Sequence, residues 1–244
     1  MSREDLHSYV LHLPILTTIF AIFFAVQLFT RLRQKGGGPH LLWWGIGMVT
    51  YGIGTFTESF TTVVGWDPTV FRVWYVAGAF LGGYPLAQGS IYLLMNRRFA
   101  NGSAWIVSSV IAVAAVLVFL APLDVSLAEA HRLHGGVIEW RWLRLVTPFI
   151  NLYSVAFLAG GAAYSALRFR SATEHRNRYV GNIYIAAGAM LPAIGGTLTR
   201  FGYVEALYVG ELVGLLLIYF GYRKCIAPTP KPSAEAAGDA VATG

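Results

Sequence analysis

Charge is scarce in this sequence: Asp, Glu, Lys and Arg make up 12% of 244 residues, hydrophobic residues 56%, and the mean hydropathy is +0.56. A water-soluble domain of this length cannot cover its surface with so few charges, so that class is excluded. Cysteine occurs only as Cys225, which excludes an intrachain disulfide and a CxxC site and leaves a lipidated thiol or a plain small residue. Lysine occurs only at 35, 224 and 231, outside the apolar runs, so the last run offers no Schiff-base partner for retinal. Of the six histidines only His12 falls within an apolar run, so a haem held by two intramembrane histidines lacks its second ligand. His131 and His134, with Glu129, have helical i, i+3 spacing but no third confirmed zinc ligand. Neither a P-loop nor a dinucleotide fingerprint is present. No cofactor or metal is expected, and an enzyme ranks third among the functional classes.

What the sequence has instead is seven apolar stretches, roughly 9–32, 41–64, 71–95, 103–121, 143–167, 179–200 and 203–222. A helix needs about 20 mostly apolar residues to cross the hydrocarbon. The expected fold is therefore an all-α integral membrane protein, a seven-transmembrane-helix bundle over residues 1–226, with a Pro/Ala/Gly-rich disordered tail from 227 to 244. The basic residues sort by side. Twelve (Arg31, Arg33, Lys35, Arg97, Arg98, Arg168, Arg170, Arg176, Arg178, Arg223, Lys224 and Lys231) fall on one face, and six (Arg3, Arg72, Arg132, Arg141, Arg144 and Arg200) on the other. The positive-inside bias then places the N-terminus outside and the C-terminus in the cytoplasm of a bacterial inner membrane. The net charge of +6 belongs to membrane lipid rather than to nucleic acid. The start "MSREDLHSYVLHLP" lacks a basic n-region and a cleavage site, so the first span reads as retained.

The first three and last three spans align as a duplication, 9–98 against 143–224, with 103–121 as a linking helix. Pro14 meets Pro148, "IGTFTESF" meets "IGGTLTRF", and "RVWYVAGAFLG" meets "EALYVGELVG". Convergence of Gly-rich membrane helices is the plain alternative. Three spans per half make the repeats parallel, a three-plus-one-plus-three arrangement. Gly78-x-x-x-Gly82 and Gly210-x-x-x-Gly214 predict close helix approach. Pro85, beside Tyr84, Gln88 and Ser90, predicts a kink in the third span.

At aligned positions the halves carry opposite charges, Glu58 against Arg200 and Arg72 against Glu205. The aligned tyrosines Tyr75 and Tyr208, with Arg144 and the deeper Glu211, complete a candidate ligand-binding vestibule on the outer side. Charges in or beside a span are costly unless they turn inward and pair, so a purely structural pairing is the bland alternative. A transport path would instead run along Gln88, Asn151 and Asn182, joined by Glu58 and Glu211.

The stretches "FTRLRQ", "LLWWGIGMVTYGIGTFTES" and "RVWYVAGAFLGG…SIYLLMNRR", within residues 20–98, resemble the seven-helix membrane input modules of bacterial histidine kinases. That resemblance implies a sensor with its N-terminus outside. No output domain follows Tyr222, which implies action through a membrane or cytoplasmic signalling partner. Two functions are thus expected: a receptor-like or regulatory subunit that senses a small polar ligand, or a small-solute transporter with parallel repeats.

Overall fold

The computed structural model describes residues 10, 12–171, 175–201 and 203–228. The expected tail therefore lies outside the described residues from 229 onward, as does the side chain of Arg200. Among the described residues the chain is helical, with two isolated bridges and no named strand.

Helix α1 spans Leu13–Lys35, with Pro14 in its first turn and Gly36 closing it at φ 56°, the left-handed cap that glycine adopts without cost. Helix α2, Pro39–Val64, returns antiparallel. Asp67 then caps α3, Pro68–Trp74, by accepting the amides of Thr69 at 2.8 Å and Val70 at 2.9 Å. The chain continues as a π-helical turn, Tyr75–Phe80, breaks at 81–83, and resumes as α4, Tyr84–Leu94. Pro85 is therefore not a mid-helix kink. It occupies the first turn of a new helix, where its missing N–H costs nothing, and the hydroxyl of Thr50 on α2 donates to the freed carbonyl of Leu81 at 3.0 Å.

Asn96 caps α5, Arg97–Leu120, through the amide of Phe99. A folded segment of two 3-10 turns follows, and then α6, Arg141–Arg144, and α7, Val146–Ser154. A second π turn, Val155–Ala159, joins α7 to α8, Gly160–Phe169. The chain ends in α9, Arg176–Leu198, and α10, Val204–Ile226.

Five helical stretches are long and apolar enough to cross a membrane: Leu13–Gln34, Arg97–Leu120, Arg141–Phe169, Arg176–Leu198 and Val204–Ile226. Their outward faces are apolar, with Trp105 77% exposed and Ile19, Val113 and Leu152 likewise uncovered. That is a surface made for lipid rather than water. The other two sequence stretches become α2 and the α3–α4 run. The first is diluted by inward-facing Thr55, Thr57, Glu58, Ser59 and Thr61, and the second is split by its break.

Packing follows the chain around the bundle. Helix α2 lies against α1 and α4, α8 against α9, and α10 against α9 and back against α1. The α9–α10 seam is the most extensive and is built on glycine. A β-carbon on Gly188 would lie 2.5 Å from the carbonyl oxygen of Gly214, and one on Gly195 2.7 Å from that of Ala206. Pro192 supplies no amide for the Gly188 carbonyl four residues earlier, and that oxygen lies where a β-carbon on Gly214 would sit, 2.5 Å from it. The expected approach at Gly210 and Gly214 is thus against α9. Gly78 meets Gly54 of α2, where an added β-carbon would come within 2.9 Å.

Candidate functional site

The alternation of helices puts two ends on the bundle. One, the basic end, gathers Arg31, Arg97, Arg178 and Arg223; the far end carries the segment 121–140. At the far end that segment folds down. Val137 and Ile138 are buried against Phe71, Tyr75 and Val118, and His134 is used inside it, with Nε2 2.8 Å from the Leu127 carbonyl and Nδ1 accepting the Gly136 amide at 3.2 Å. Among the described residues, no three His, Cys, Asp or Glu side chains gather as a metal site.

Beneath this cap, α2 and α10 bring two acids together. Glu58 is 5% exposed, and its carboxyl comes within hydrogen-bonding reach of Glu211. The indole of Trp74 donates to Glu58 Oε1 at 2.8 Å, and the Tyr51 hydroxyl donates to the backbone carbonyl of Glu211 at 3.1 Å. Tyr208, one turn before Glu211, is buried beside the pair. The Oε2 atom of each glutamate has no N–H or hydroxyl donor, and the Oγ1 atom of Thr61 and the indole N–H of Trp66 also lack a partner. Two carboxylates cannot hydrogen-bond each other without a donor, so the contact needs one shared proton or a third, cationic group between them.

The other sequence-predicted residues disperse. Arg72 donates to the carbonyls of Val118 at 3.3 Å and Ala121 at 3.1 Å, closing the C-terminal end of α5 rather than facing Glu205. Glu205 instead meets Arg132 of the folded segment at 3.7 Å, which also reaches Glu129. Tyr75 points under the cap to Thr147 Oγ1 at 3.0 Å, and Arg144 is exposed on α6. Gln88 is 0% exposed and fully engaged: it donates to the Ala100 carbonyl at 2.9 Å and accepts from Tyr153 at 2.7 Å. Asn151 is exposed, and Asn182 donates to the Arg178 carbonyl at 2.8 Å.

Of the vestibule, then, Glu58, Glu211 and Tyr208 come together, with Arg132 and Glu205 above them. Trp74 and Tyr51 were missed. Tyr51 had a signal, since it sits seven residues before Glu58 and so on the same helix face; Trp74 had a weaker one, the need of a buried indole N–H for an acceptor. Neither a protein-family model nor a curated protein matches the chain, so the functional reading stands on this geometry.

Proposed function

We propose that the protein is a receptor-like or regulatory membrane subunit whose far-end site, between α2 and α10, takes a small polar ligand bearing a cationic group. The observation that carries this reading is the set of partnerless buried polar atoms. Two of them, the Oε2 atoms of Glu58 and Glu211, belong to the acids that α2 and α10 bring together. Buried polar groups are almost always satisfied, and here the Oε2 atoms of two facing carboxyl groups have no hydrogen-bond donor. A protonated amine beside two carboxyls, with Trp74, Tyr51 and Tyr208 around it, answers that set by charge and by cation–π attraction.

In this reading α2 and the α3–α4 run also cross the bilayer, giving seven spans with the N-terminus outside and the C-terminus cytoplasmic. Helix α2 has 26 residues and reaches about 39 Å at 1.5 Å per residue, more than the hydrocarbon requires. Its polar residues face inward, while Leu42, Ile46, Val49, Ile53 and Phe56 stay exposed along the opposite side, as expected of a spanning helix with one face to lipid. The far end is then the outer face. Ligand in the site replaces the shared proton, alters the spacing of α2 and α10, and the change is felt by a signalling partner at the basic loops. The resemblance to kinase input modules points the same way. A carrier would need a continuous polar route, and Gln88 and Asn151 do not supply one.

The test is thermal stabilisation of the purified protein by a panel of primary amines and amino acids. A ligand at about 100 times its Kd adds about 2.7 kcal/mol, and the shift should vanish in the Glu58→Gln, Glu211→Gln double variant. An undiminished shift in that variant, or uptake of the same amine into reconstituted liposomes, refutes the reading. Co-purification from native membranes then identifies the partner.

A further inference from the structure

At the basic end, six helices leave a cavity of about 440 Å³, within the usual range of small-molecule sites, about 300–1,000 Å³. Its walls are apolar, formed by Phe24, Leu86, Leu158 and Ile218 among others, and its mouth carries Arg31 and Arg178. Each guanidinium is held by an aromatic ring rather than by an acid. Arg31 lies 5.7 Å from the ring centroid of Tyr222, and Arg178 lies 5.7 Å from that of Phe169. Among the described residues no acidic side chain lines the cavity or makes an ion pair with either arginine. From Arg31 at the mouth to Phe24 inside is seven residues of α1, about 10 Å.

We infer that this cavity binds an amphiphilic anion, with a carboxylate or phosphate head between Arg31 and Arg178 and an acyl chain along the apolar wall. An uncharged polar ligand would leave both guanidiniums unmatched, and a headless hydrocarbon gains nothing over the surrounding lipid, which is equally apolar. Recognition therefore falls to the head, where planar guanidinium groups match the oxygens of carboxylate or phosphate. The same chemistry is offered by a single-chain fatty acid and by the headgroup of an anionic phospholipid. This site is separate from the Glu58–Glu211 pair and does not depend on it.

Cys225 is the sole cysteine of the chain and lines the cavity, so its alkylation reports occupancy. The full-length protein in phosphatidylcholine nanodiscs is treated with N-ethylmaleimide with and without palmitate, or with part of the lipid replaced by phosphatidylglycerol, and the rate ratio is taken within each protein. Protection by palmitate alone identifies the single-chain source, and protection by phosphatidylglycerol identifies the lipid headgroup; either supports the site. Arg31→Gln with Arg178→Gln should raise the half-protecting concentration by about tenfold or more, as expected when charge-assisted bonds are lost, while Arg33→Gln, outside the cavity, should not. Hexadecanol, with the same chain and no charge, must not protect the unaltered protein, a comparison that needs no variant to fold. Equal protection by hexadecanol, no protection by either anion, or full protection in the folded double variant overturns the inference.

Discussion

Adding a single methyl group to α9 should separate two classes of glycine that the sequence presents side by side. At Gly188 the new β-carbon meets the Gly214 carbonyl oxygen at 2.5 Å, Leu217 Cβ at 2.9 Å and Ile218 Cγ1 at 3.0 Å. At Gly195 it meets Leu207 Cα and the Ala206 oxygen, both at 2.7 Å. At Gly196, the next residue, nothing lies within 4 Å. The first two contacts are with backbone, which cannot rotate away, so α9 and α10 must part by several tenths of an ångström along their longest seam. Overpacking of that kind costs about 1–3 kcal/mol. The gain in helix propensity from Gly to Ala, about 0.8–1 kcal/mol in water, offsets part of it. Gly188→Ala and Gly195→Ala should thus lose up to about 2 kcal/mol net of these two effects, while Gly196→Ala should be neutral or gain up to about 1 kcal/mol. Equilibrium unfolding in mixed micelles of dodecyl maltoside and SDS, followed by tryptophan fluorescence, reads all three. If the three variants shift together, the seam is not held by backbone approach and the reasoning fails.

Glu58→Gln keeps an acceptor for Trp74 and brings its own donor to Glu211, so its melting temperature should stay near that of the unaltered protein, whereas Glu58→Ala orphans the half-buried indole and should cost about 1–3 kcal/mol. A larger loss for Gln than for Ala would contradict the carboxyl contact. Gln88→Ala removes the acceptor of Tyr153 and the donor to Ala100 in a fully buried position and should cost about 2–4 kcal/mol in the same unfolding assay, as paired buried bonds and a void are lost together. Arg132→Ala breaks contacts to Glu129 and Glu205 that lie near the surface and should change stability by less than about 1 kcal/mol; a larger loss would show that Arg132 holds down the segment 121–140 by more than these two contacts.

Helix α5 illustrates what was legible in the sequence. Its apolar run, free of charge after Arg98, is read at 103–121 and found at Arg97–Leu120, because a lipid-facing helix depends on composition alone. The same holds for α1, α9 and α10, whose ends differ from the sequence boundaries by a few residues. Where a helix turns a polar face to its neighbours, composition is a weaker guide to whether it spans. In α2 the inward polar side chains lower its apolar character, and the third stretch hides a break that Gly82, Gly83 and Pro85 signal only in hindsight. For the site, a buried-looking Glu58 and Glu211 were visible as costly acids. Their meeting was not, because it depends on α10 closing against the start of the bundle, a contact between residues more than 150 positions apart. Aligning the two halves paired Arg72 with Glu205, but position in a repeat does not decide which partner lies in reach. The C-terminal carbonyls of α5 are nearer to Arg72, and the folded segment delivers Arg132 to Glu205. The basic-end cavity left no mark at all, since Arg31 and Arg178 look like any other residues that anchor a helix end.

One helix belongs to both ends. Helix α10 carries Tyr208 and Glu211 near the far end, and Ile218, Tyr222 and Cys225 on the wall of the basic-end cavity. Between them it runs along α9 on glycine, with the Gly188, Leu191 and Gly181 carbonyls set against Gly214, Gly210 and Gly221. The glycine seam is therefore a contact that a substitution can loosen with an expected effect on the surroundings of both Glu211 and Tyr222, although the two sites share no side chain.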